Sequence, residues 1–178
     1  MGDAIISESF NRTRALVEGA LCVALSVVFS NLKLFSMPQG GSVTLEMAPL
    51  LYFSYKYGYK WGIPAGAMSG LLQMLLGGYV AHPVQAVLDY PAAFACMGIG
   101  GVFGQSGRGA AAGTALAAFA RLVCHVLSGV VFFASYAPEG QNVWIYSLVY
   151  NASFMAPSIA ITAAAAWILW KKFLKSVN

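Results

Sequence analysis

Asp89, Arg121 and His125 stand inside apolar stretches, where an ionisable side chain costs roughly 2.5–3.5 kcal/mol to insert and usually marks function. Gln85 and Asp89 are one helical turn apart and share a face, with Tyr90 beside the acid. Arg121 and His125 repeat that spacing in the next stretch, and the last stretch carries Tyr146, Tyr150, Asn151 and Ser153. A carboxylate in low dielectric attracts a cation, and an aromatic face within about 6 Å adds up to ~2 kcal/mol when desolvated. Asn and Tyr supply directed hydrogen bonds. Together these groups suit a small, flat, positively charged molecule with a hydrogen-bonding edge. Plainer roles stay open: Asp89 can close an ion pair with Arg121, His125 can bridge two helices, and tyrosines at span ends can form an interfacial belt. Pro91 and Pro157 have no N–H for the carbonyls of Val87 and Ser153. Kinked helices with loose acceptors open cavities in membrane bundles.

Other chemistries find less support. Cys22, Cys96 and Cys124 all lie in apolar stretches without a CxxC pair, so neither a disulfide framework nor a metal site is expected. HExxH and GxSxG are absent, and no second acid neighbours Asp89 in the sequence, which argues against an intramembrane enzyme using Asp89 or His125 as acid or base. The run GGVFGQSGRG (100–109) is glycine-rich but lacks the Lys-Ser/Thr end of a phosphate loop. Any step driven by ATP would therefore need ATPases on other chains, and no resident cofactor is expected.

The elements that position these groups are set by lipid. Of 178 residues 59% are hydrophobic and 9% charged, too apolar for an ordinary soluble domain and leaving no room for a nucleic-acid or ATPase domain. Six apolar runs, about 13–31, 45–57, 61–76, 84–103, 110–133 and 143–170, predict an all-α integral membrane protein with six transmembrane helices in one domain, 1–178. The second and third runs are short, which calls for tilt, irregularity or shielding by protein. Arg12, Arg14, Lys56, Lys60, Arg108, Lys171, Lys172 and Lys175 fall on one side, against Lys33 on the other. That asymmetry predicts both termini in the cytoplasm. Aromatics such as Tyr55, Tyr57, Tyr59, Trp61, Trp167 and Trp170 mark the borders. Gly100-xxx-Gly104 and Ala20-xxx-Ala24 are small-residue pairs that pack helices within the chain or dock a partner. Ala15, Gly19, Ala20 and Ala24 form the expected docking face of the first span.

Three segments carry a family resemblance: MPQGGSVTLEMAPLL (37–51), QAVLDYPAAF (85–94) and HVLSGVVFFASYAPEGQNVWIYSLVYNASFMAP (125–157). They resemble the ThiT family, the thiamine-specific substrate-binding (S) subunits of energy-coupling factor (ECF) transporters. The resemblance covers most of the chain and implies an ECF S-component-like bundle in a bacterial plasma membrane. It implies capture of extracellular thiamine and delivery inward with a membrane scaffold subunit and two ATPase subunits. By position it implies substrate contacts at Asp89, Tyr90, Tyr79, His125, Tyr146 and Asn151, with Phe35 in a closing first loop. Asp89 stands where the family usually has Glu, and Phe132–Phe133 where it has a tryptophan, which makes Phe133 a further substrate contact, stacking on the ligand with His125. Tyr146 and Asn151 are five apart, about 140° around an ideal helix, so the resemblance requires an irregular start to span six or a ligand that wraps it. An S subunit for another vitamin remains the nearest alternative.

Overall fold

Backbone in lipid must bond to itself, and the apolar runs do so as six helices. The computed structural model describes residues 2–38, 40–104 and 106–169, with side chains from residue 11 onward except 166 and 169. The helices are α1 (Gly2–Asn31), α2 (Met47–Tyr57), α3 (Tyr59–Leu75), α4 (Pro83–Phe103), α5 (Gly107–Phe132) and α6 (Val143–Leu169). Trp170, Lys171, Lys172 and Lys175 lie outside the described residues.

Four helices, α1, α4, α5 and α6, contain stretches long and apolar enough to cross a bilayer. α2 and α3, with 11 and 17 residues, reach only about 16 and 25 Å at 1.5 Å per residue. α2 tolerates this because eight of its eleven residues are buried, so protein and not lipid surrounds it. Its Leu50, Leu51 and Tyr55 form the core with Val23 of α1, Phe94 and Met97 of α4, and Ala110 and Ala117 of α5.

Glycine brings the neighbouring helices into contact. Gly62, Gly66 and Gly70 recur every four residues along one face of α3, and that face lies on α4. A Cβ on Gly66 would sit 2.2 Å from the carbonyl oxygen of Phe94, and one on Gly70 would sit 2.4 Å from that of Tyr90. Gly100 of α4 abuts Gly113 of α5 in the same manner, so it packs within the chain. On α1 the small residues divide. Ala15 is buried, and a Cβ on Gly19 would meet the Phe53 ring at 2.8 Å, so both turn inward. Ala20 and Ala24 alone of the four face outward.

α4 is not one uniform helix. It runs as α over Pro83–Val87, widens to a π turn over Leu88–Ala92, and finishes as a 3-10 helix over Cys96–Phe103. Pro91 explains the π turn: without an N–H it cannot bond Val87, and the ladder resumes when the Ala93 N–H donates to Leu88, five residues back.

Loop one contains an unexpected element, a two-stranded antiparallel ribbon of β1 (Phe35–Ser36) and β2 (Ser42–Val43). Val43 at its base packs with Phe154 and Met155 of α6. Arg14, Lys56 and Arg108 gather at the end of the bundle opposite this ribbon. There Glu18 accepts from Arg14 Nε at 2.8 Å and from Lys56 Nζ at 2.6 Å.

Candidate binding site

The ribbon end of the bundle holds a cavity of about 420 Å³, within the usual size for a small-molecule site. Asp89 projects into it from the π turn of α4, the kind of local irregularity often found at functional positions. Three donors hold its carboxylate. His125 Nδ1 lies 2.9 Å from Oδ1, and Gln85 Nε2 and Ser128 Oγ each donate to Oδ2 at 2.7 Å. Gln85 is fixed in turn, accepting from the Ala81 N–H at 2.9 Å and donating to the Tyr79 carbonyl at 3.2 Å.

The hydrogen bonds also select a form of His125. Arg121 Nε donates to its Nε2 at 3.2 Å, so Nε2 must accept and Nδ1 must carry the proton given to Asp89. A neutral imidazole meets both demands. Arg121 is 6% exposed, donates from Nη2 to Glu46 Oε1 at 2.7 Å, and lies 4.1 Å over the Phe94 ring. A relay therefore runs Glu46–Arg121–His125–Asp89. It contains two carboxylates and one guanidinium, which leaves one negative charge without a cation inside the relay.

Aromatic rings line the rest. Tyr79, Phe133 and Tyr136 follow one another at 6.2 and 6.1 Å between centroids, and Tyr146, Tyr150 and Phe154 do so at 6.0 and 6.4 Å. Loop one closes over α6: Tyr150 donates its hydroxyl to the Gly40 carbonyl at 2.8 Å, and Gly41 rests on the Phe154 ring. Thr44 N–H reaches Ser158 Oγ at 3.4 Å.

Seven of the eight substrate-contact candidates, Asp89, Tyr90, His125, Tyr146, Asn151, Tyr79 and Phe133, line this one cavity. Phe35 does not: it is exposed on β1, and Ser36 and Met37 take the lining positions. Of the two phenylalanines at the end of α5, Phe133 belongs to the cavity, whereas Phe132 stacks on His82 at 4.9 Å. The Asp89–Arg121 ion pair does not form, because Glu46 takes the guanidinium. Nor does span six begin irregularly. α6 is helical from Val143, and Tyr146 and Asn151 reach the cavity from different faces. Asn151 is anchored by its amide to the Ser147 carbonyl at 2.9 Å.

Glu46 and Ser128 escaped the sequence argument. Glu46 brings a second acid to the cavity from a distant segment; it precedes α2 and reads in the sequence as a boundary charge. Ser128 had a signal, since Arg121, His125 and Ser128 stand at i, i+4 and i+7 on one face.

The family model for the Thiamine transporter protein (Thia_YuaJ) matches residues 16–178. Thiamine transporter ThiT of Bacillus subtilis (strain 168) is 41% identical over 171 residues, covering 87% of this chain and 89% of that protein. Its namesake from Lacticaseibacillus paracasei is 29% identical over 171 residues, covering 86% and 85%. The solved structure of ThiT from Listeria monocytogenes matches with a TM-score of 0.84 at 27% identity, over 93% of this chain and 97% of that one. The S component of a bacterial ECF transporter matches with a TM-score of 0.67 at 15% identity, over 94% and 99%, a likeness of fold. With a family match across nearly its whole length and a relative above 40% identity, the chain belongs to the thiamine transporter protein (Thia_YuaJ) family.

Proposed function

We propose that the chain is the thiamine-capturing S subunit of an ECF importer, a single six-helix unit that binds the vitamin outside and delivers it inward. The uncompensated negative charge at the Asp89 end of the relay, facing aromatic walls, carries this reading. Thiamine brings a permanently charged thiazolium, which that charge neutralises and which Phe133 and Tyr146 can cover. Its aminopyrimidine offers an edge for the Asp89, Tyr146 and Asn151 side chains. A neutral His125 adds no repulsion.

Energy comes from elsewhere: two ATPase subunits and a membrane scaffold complete the transporter, with Ala20 and Ala24 offered to the scaffold. The site binds without turnover, and thiamine is its cargo, so no cofactor is needed. Both termini lie in the cytoplasm of a bacterial cell, which places the cavity at the outer face and agrees with the Lys/Arg asymmetry. Isothermal titration of thiamine into the detergent-extracted chain tests the proposal. Wild type binds with one site, and Asp89→Asn weakens binding at least tenfold, about 1.4 kcal/mol. Unchanged affinity in the variant, or no binding by the wild type, refutes it.

A further inference from the structure

Two thiols outside the cavity lining meet across the α4–α5 contact. Cys96 Sγ lies 4.0 Å from Cys124 Sγ, and both residues are half-buried free cysteines. The helices that carry them are fixed close together, because a Cβ on Gly113 of α5 would sit 1.8 Å from the Gly100 carbonyl oxygen of α4. A disulfide brings the sulfurs to about 2.05 Å, so the side chains must still turn toward each other. The pair also lies near the site: Cys124 adjoins His125, and Cys96 follows Asp89 by about two turns of α4.

We propose that Cys96 and Cys124 are a redox dithiol, closed by hydroperoxides into an intramolecular disulfide that staples α4 to α5 beside the Asp89–His125 pair. In the first step one sulfur attacks a peroxide oxygen. An S–O bond forms, the O–O bond breaks, and with hydrogen peroxide the departing hydroxide takes the thiol proton to become water. In the second step the other sulfur attacks the sulfenic acid. The S–S bond forms, the S–O bond breaks, and the second hydroxyl leaves as water with the remaining thiol proton. Each sulfur gives one electron and the peroxide accepts two. A neighbour at 4.0 Å intercepts the sulfenic acid before it can oxidise further.

The full chain in detergent, treated with hydrogen peroxide, should lose the mass of two hydrogens. After denaturation, thiols open to N-ethylmaleimide should fall from three to one, the survivor being Cys22. Dithiothreitol should restore all three, and neither Cys96→Ser nor Cys124→Ser should lose the two hydrogens. The stapled chain should also melt at a higher temperature than the reduced one. Retention of three thiols, a gain of oxygen without hydrogen loss, or a disulfide-linked dimer overturns the proposal. So does closure that persists in Cys124→Ser, or a stapled chain that melts lower.

Discussion

Counting charges along the relay makes a prediction that goes beyond removing the acid nearest the ligand. Glu46→Gln leaves Arg121 buried without its carboxylate, so the relay changes from one net negative charge to none. The contacts of 3.2 and 2.9 Å on either side of the His125 ring put the guanidinium roughly 8 Å from the Asp89 carboxylate. At an effective dielectric near 20, a bare positive charge opposes a cation at that distance by about 2 kcal/mol. Thiamine affinity should therefore fall roughly thirtyfold. Stability should suffer too, since breaking one side of a buried pair costs about 3–5 kcal/mol. The double variant Glu46→Gln/Arg121→Met removes both charges and restores the count, so its affinity should return to within about threefold of wild type. Titration calorimetry with all three proteins, each first shown to melt cooperatively, reads the cycle directly. If the double variant binds no better than Glu46→Gln alone, charge balance is not what governs the site.

Other perturbations separate packing, lid and docking. Gly66→Ala drives a methyl into the Phe94 carbonyl and should cost about 1–3 kcal/mol of stability; an unchanged thermal melt would contradict the close α3–α4 approach. Tyr150→Phe removes the hydroxyl that holds Gly40, a bond worth about 0.5–1.5 kcal/mol. Thiamine should then leave two- to tenfold faster in stopped-flow, and an unaltered off-rate would deny loop one a role in retention. Ala24→Leu should abolish uptake in whole cells while leaving the affinity of the purified chain intact. Loss of binding would instead assign Ala24 to internal packing.

The six helices were legible because lipid offers the backbone no partner, so every spanning run must be apolar and can be counted. The pairing of Asp89 with His125 was legible because polar groups in such runs are rare and here repeat one turn apart, with Gln85 on one helix and Arg121 on the next. Tyr146 and Asn151, on different faces of α6, were tied to the site by the resemblance. What stayed hidden depends on contacts between distant segments. Glu46 sits 75 residues from Arg121, and nothing in its own surroundings shows that a buried guanidinium waits for it. The Gly62, Gly66 and Gly70 stripe is visible as spacing, but only the α4 backbone beside it shows what it is for. Pro91 announced a loosened ladder, yet whether a helix answers with a kink or a wider turn is decided by its neighbours. The ribbon in loop one is two residues per strand, too short to leave any alternation.

The tethers of the loop-one tip, residues 40 to 44, land on α6 at Tyr150, Phe154 and Ser158, whereas the charged wall belongs to α4 and α5 with Glu46 at the foot of the loop. Peeling the flap off its anchor helix would thus leave the electrostatic half of the receptor assembled. On the proposed function, an arriving cation would meet a ready-made counter-charge first and the cover would set how long it stays, so attraction and residence time would answer to mutations on different helices.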